Sequence, residues 1–134
     1  MKITSNTVTM SASADRIFSI LISFAHTDRT PSIPQVTDWT TLEDGCRFTV
    51  AGMITCTMRL TEQRPFSFLV YEISSDKGIS AKAAFFIEEA GGCSQVHIEA
   101  DADAPIFLQP MIKKPLEQAM NKGLEKLKEM TESI

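Results

Sequence analysis

The sequence is poor in the residue types that announce chemistry. Histidine occurs twice, at His26 and His97, and cysteine three times, at Cys46, Cys56 and Cys93. The cysteine count is odd and no two stand at C-x-x-C spacing, so neither a disulfide framework nor a zinc knuckle fits. Each thiol reads as a small, buried apolar group in a reducing cytosol. There is no G-x-S-x-G, no P-loop, no G-x-G-x-x-G and no H-E-x-x-H, which removes several common enzyme classes. Cyclase-type chemistry is left open, because it can run on a shaped pocket and one or two polar groups.

Long apolar runs are missing too. No stretch approaches the roughly 18 apolar residues of a membrane helix. The opening "MKITSNTVTM" lacks the run of roughly 7–15 apolar residues found in a secretory signal. A cytoplasmic chain with no membrane insertion is the expectation. Nor is there an excess of positive charge: 13 Lys and Arg face 17 Asp and Glu, a formal charge of −4. That balance weighs against a nucleic-acid partner or an anionic surface. Nothing implies a metal or a cofactor, and the oligomeric state is not legible.

What is present is an ordinary domain's worth of apolar residues. The chain has 134 residues, 43% of them hydrophobic and 22% charged. One domain over 1–134 is expected, large enough to bury roughly 68% of its unfolded surface without metal or disulfide staples.

Periodicity divides the chain. Lys2 to Met10 is rich in Thr, Val and Ile, which favour a strand. In "SASADRIFSILISF", Ser11 or Ser13 caps a helix, Asp15 suits its first turn, and Ile17, Ile20, Leu21 and Phe24 form one apolar stripe. "AHTDRTPSIPQVTDW" carries Pro31 and Pro34 and reads as a loop with at most a short helical turn. From Thr40 to Asp103 the period becomes two, broken at Asp44-Gly45, Gly52, Arg64-Pro65, Asp76-Lys77-Gly78 and Gly91-Gly92. This predicts a meander of antiparallel strands.

Alternation assigns faces. Val96, Ile98, Ala100 and Ala102 point one way and His97, Glu99, Asp101 and Asp103 the other. Ala81, Ala83, Phe85 and Ile87 share an apolar phase, as do Cys56, Met58 and Leu60. The strand from Phe66 to Ser74 is apolar in both phases, so its inward set stays open. "PMIKKPLEQAMNKGLEKLKEM", Pro110 to Met130, carries Ile112, Leu116, Ala119, Met120, Gly123, Leu124, Leu127 and Met130 at helical spacing. Pro115 is tolerated only in a first turn, so the helix starts near Lys114 or is kinked there. Gly123, on the apolar stripe, is expected to permit close approach to the sheet.

The order β, α, short α, five or six antiparallel β, long α resembles that of the START-like helix-grip domains, the SRPBCC or polyketide cyclase/dehydrase superfamily. "SASADRIFSILISF", "PSIPQVTDW", "GCRFTVAG", "MRLTEQRPFSFLVYE" and the terminal helix carry the likeness over essentially the whole chain. It implies an α+β, helix-grip fold: a curved antiparallel sheet wrapped around a long C-terminal helix, with one or two short helices after the first strand. Such domains commonly hold a deep apolar cavity between sheet and helix. Members bind lipids, sterols, polyketides or plant hormones; a few catalyse cyclisation or hydrolysis, and others only bind proteins.

On this footing the expected partner is a small hydrophobic ligand. The expected lining is Phe24, Phe48, Met58, Leu60, Tyr71, Glu72 and Phe85, with Ile98 from the last strand and Ile112, Leu116 and Met120 from the helix. Glu72 has two readings. Opposite Arg59 on the wet face it is half of a cross-strand pair; turned inward it is a buried carboxylate that orients a ligand or acts as a base. His26 and Asp28 are weighed as an acid pair against a solvated loop. His97, Glu99, Asp101 and Asp103 are weighed as a cation site against a plain solvated face, and residues two apart on a strand, roughly 7 Å, are too widely spaced for all four to grip one ion. A cyclase-type enzyme and a packed, ligand-free interaction module are the alternative functions.

Overall fold

The computed structural model describes residues 1–24, 36–43, 45–50 and 52–132, with the backbone alone for Ser23 and Phe24. Two short strands come first, β1 (Lys2–Thr4) and β2 (Val8–Met10), followed by helix α1 (Ala14–Phe24). Six strands follow: β3 (Val36–Thr41), β4 (Gly45–Val50), β5 (Ile54–Arg64), β6 (Phe68–Ser75), β7 (Ser80–Ala90) and β8 (Cys93–Asp103). A 3-10 turn, Ile106–Leu108, leads into helix α2 (Gln109–Glu132).

All eight strands form one antiparallel sheet in the order β1-β8-β7-β6-β5-β4-β3, with β2 also on β8. The sheet curves around α2, the architecture of a helix-grip fold. The expected single first strand is split because Ser5 breaks the ladder locally. Its N–H donates to the Ile98 carbonyl at 2.9 Å, and its Oγ accepts the Ile98 N–H at 2.8 Å. One residue on, the Asn6 N–H leaves the sheet for Oδ1 of Asn121 on α2, 2.8 Å away. Residues 36–41, read mostly as loop, form β3 instead. Asp38, at φ 55°, lies within an irregularity between Thr37 and Thr40, and that irregularity hides the alternation. The rest of the proline-bearing segment lies outside the described residues.

The start of α1 is held from across the sheet. Ser13 precedes it, but Ser13 Oγ donates to the Asp15 carboxylate. The first helical N–H, of Ala14, donates instead to Glu89 Oε1 on β7 at 2.6 Å. A carboxylate there satisfies an orphan donor and suits the positive end of the helix dipole.

The core joins Ile17, Phe18 and Leu21 of α1 to Ile3, Met10, Leu69, Ile87, Val96 and Ile98 of the sheet and to Met120, Leu124 and Leu127 of α2. Helix α2 runs unbroken through Pro115. Ala119 and Met130, placed on its apolar stripe by spacing, are exposed, whereas Thr131 is buried. Gly123 does not mediate close packing: a Cβ there would meet nothing within 4 Å. Gly45 does, since a Cβ would collide with the Met58 carbonyl oxygen on β5. Cys46 and Cys56 are buried as expected, but Cys93 is exposed because it follows the Gly91-Gly92 turn.

Candidate ligand site

The ladders decide which side chains face α2. From Ile98 on β8, the paired residues run to Phe85 on β7 and Leu69 on β6. One row along, Ala100, Ala83, Tyr71 and Leu60 align. The next row holds Ala102, Ala81, Ile73, Met58 and Cys46, and Phe48 pairs with Cys56 beyond it. The phase of β6, open in the sequence, is therefore Leu69, Tyr71 and Ile73 inward, with Phe68, Val70 and Glu72 outward.

This inner face is covered unevenly. Under α1 and the second half of α2 it is sealed: Leu69, Val96 and Leu124 are fully buried, and Ile98, Tyr71 and Met120 nearly so. Phe48 on β4, Met58 and Leu60 on β5, Phe85 on β7, and Ile112 and Leu116 in the first half of α2 are only half-buried. Met58, Leu60, Phe85 and Leu116 each pack against the sealed core. Trp39 stacks on Phe48 with ring centres 5.4 Å apart, and Phe85 meets Tyr71 edge-on at 6.2 Å. Trp39 could be assigned to this face only with the irregularity in β3 known.

One phenol and two thiols belong to this face, and burial disarms all three. The Tyr71 hydroxyl donates to the Leu21 carbonyl at 2.6 Å, tying β6 to the end of α1. Burial, and then the nearby Cys46, pushes its phenol up. Burial pushes the Cys46 thiol up to about 12. Burial, and then the negative charge of Asp76, raises Cys56. All three stay protonated and neutral at pH 7, so neither thiol is a ready nucleophile.

Glu72 stands on the other side. It is exposed, directly opposite Arg59 on β5 and Lys82 on β7. The buried-carboxylate reading therefore falls, because strand alternation sends Glu72 the opposite way from Tyr71. His97 also faces outward, with Nε2 3.0 Å from Glu99 Oε2, and no group of three metal-ligating side chains occurs among the described residues. The Phe24 side chain, His26 and Asp28 lie outside the described residues. Two open grooves, of about 640 and 430 Å³, flank the outer face of the sheet; Arg59, Glu72, Lys82 and Asp101 line the first, and Phe86, Glu88, Gln95 and His97 the second.

A curved sheet around a C-terminal helix, apolar inside and only half sealed, defines a START-like helix-grip protein. The comparisons place it further: the sequence profile of the polyketide cyclase / dehydrase and lipid transport family matches residues 1–132. The chain belongs to that family. No curated protein matches it by sequence. Among solved structures, the chain is similar to the protein XoxI from Bacillus cereus, at 12% identity and a TM-score of 0.74 over 98% of this chain and 96% of that one. It is also similar to a START superfamily protein from Mycobacterium smegmatis, at 17% identity and 0.71 over 98% and 97%. CalU16 from Micromonospora echinospora aligns at 14% identity and 0.58, over 92% of this chain and 70% of its own. At these identities the likeness is one of fold.

Proposed function

We propose that the protein binds a small hydrophobic molecule between the open part of its inner sheet face and the first half of α2. One observation carries this: Phe48, Met58, Leu60, Phe85, Ile112 and Leu116 all belong to the apolar side, yet all stay half-exposed, while Leu69, Tyr71, Val96, Ile98 and Leu124 are sealed. Apolar surface left uncovered in a concave site is the usual ground for ligand binding, and each 100 Å² removed from water contributes about 2.5 kcal/mol. The lipid transport named in the family description accords with it. A binding role is favoured over a cyclase-type reaction because Tyr71, Cys46 and Cys56 are shifted away from the charged forms that a base or nucleophile needs at pH 7.

The test is native mass spectrometry of the purified protein, with titration of an apolar fluorescent probe. A bound apolar mass, or saturable probe binding that Leu60→Trp abolishes in a folded variant, is expected. A bare chain mass together with no probe uptake would overturn the reading.

A further inference from the structure

One feature of the sequence is unused by the inner site: the second apolar phase of β6. Phe68 and Val70 point outward, beside Phe86 and Ala84 of β7. Phe68 and Phe86 lie 6.1 Å apart, Phe86 stacks on His97 at 5.0 Å, and the Arg64 guanidinium sits 5.4 Å from the Phe68 ring centre. Both helices pack on the inner side through Tyr71, Leu69 and Ile98, so neither covers this row. Alongside runs a charged row, Arg59, Glu72, Lys82, Asp101 and Lys2, one residue from each of β5, β6, β7, β8 and β1 in direct register, with the Met1 ammonium 3.5 Å from Asp101 Oδ1.

Alternating charge across neighbouring strands supports a sheet by itself. It does not explain two phenylalanines and a valine on a water-facing side. The order of the charges does suggest an occupant. From β5 to β8 the row reads plus, minus, plus, minus. A second copy, turned over about a two-fold axis parallel to the strands and between β6 and β7, presents the same row reversed. Arg59 then meets Asp101 of the second copy, Glu72 meets Lys82, and Phe68 meets Phe86. Arg64 falls over the groove of about 430 Å³ that Phe86, Glu88, Gln95 and His97 line. A two-fold axis at right angles, along the charged row, sets Arg59 on Arg59 and is disfavoured. Between the two rows, Glu62 and Glu99 face each other at the same rim as Arg59 and Asp101, a like-charge pair that weakens the association.

We infer that the outer face of β5–β8 is a self-complementary surface on which a second copy of this chain docks, sheet to sheet. Four strands by three outward rows span roughly 20 Å by 20 Å, about 400 Å² per copy. That is about half the standard interface per partner, so the dimer is weak and concentration-dependent.

Sedimentation velocity from about 10 μM to 1 mM at low salt tests it. A shift from monomer to dimer that added salt reverses is expected. Phe86→Asp abolishes the shift. Arg59→Asp and Asp101→Arg each weaken it by about tenfold, and the double variant restores it, because like charges across an interface oppose association. Arg59 and Asp101 are three strands apart, roughly 14 Å within one chain, so the rescue reports contact between chains. Thermal melts confirm that each variant is folded. A monomer at every concentration overturns the proposal and leaves the face to a different protein. A dimer indifferent to Phe86→Asp, or a double variant no better than the single ones, also overturns it.

Discussion

The two halves of α2 carry the same apolar periodicity and meet different fates. In the second half Met120, Leu124, Leu127 and Thr131 are buried against the sheet. In the first, Ile112 and Leu116 are half-buried and Met111 is 68% exposed, continuing an uncovered apolar tip at Ile106 and Phe107. Period alone says that a stripe exists; it does not say what the stripe faces. The second half joins the core cluster that holds Val96, Ile98 and Ala100 of β8. From the first half, Leu116 packs against that cluster, as do the half-buried Met58, Leu60 and Phe85. One half of the helix is built into the core, and the other leaves apolar side chains partly in water.

Alanine substitution in each half is the sharpest way to break that comparison. Leu124 is fully buried, so Leu124→Ala leaves a cavity and is expected to cost about 2–5 kcal/mol. Leu116→Ala removes a side chain already half in water and is expected to cost about 1 kcal/mol or less. Its larger effect falls on uptake of an apolar probe. Urea unfolding of both variants checks this. Equal losses would mean that the first half of the helix is packed as solidly as the second.

The second test concerns the seam between the sealed and open regions, where Tyr71 and Cys46 sit. Both groups have raised pKa values in the folded protein, so folding favours their protonated forms. Below the ordinary thiol value of 9.0 their full contribution is present; it is lost as pH rises from there toward the Cys46 value of about 12. Melting temperature is therefore expected to hold level from pH 7 to about 8.5 and to fall above pH 9. Tyr71→Phe, which strands the Leu21 carbonyl, is expected to cost about 1–2 kcal/mol at pH 7 and to soften the upper part of the alkaline fall. A melting temperature unchanged to pH 11 would show that neither group is sealed.

Much of this was legible in the residues. The meander, its turns and the inward phase of β7 and β8 follow from alternation, because one wet face leaves a clean period of two. The phase of β6 was not legible, since Phe68 and Val70 make its outward side apolar as well; only the pairing of Tyr71 with Ala83 and Leu60 decides it. β3 was hidden by the irregularity at Asp38, and the break at Ser5 by a run of β-branched residues on both sides. The inward facing of Phe48, Met58, Leu60 and Phe85 follows from strand phase. Glu72 was placed in the lining set because nothing in the sequence orients β6. The split between sealed and open cover depends on which strands each half of α2 overlies, a property of the assembled fold alone.

The smallest expected effect separates packing from open space at Gly123, which lies in the second half of the helix between Met120 and Leu124. Glycine inside a helix is less favourable than alanine by about 0.5–1 kcal/mol, through backbone freedom lost on folding. Evolution tolerates that when a side chain would collide, but no atom lies within 4 Å of a Cβ at Gly123. Gly123→Ala should therefore stabilise the protein by about 0.5–1 kcal/mol, roughly 2–4 °C in melting temperature for a chain of this size. If it instead destabilises, the helix and sheet close more tightly in solution than the spacing here allows. If it stabilises the fold yet weakens uptake of an apolar probe, the space beside Gly123 belongs to the ligand, and the open region reaches further along the helix than Leu116.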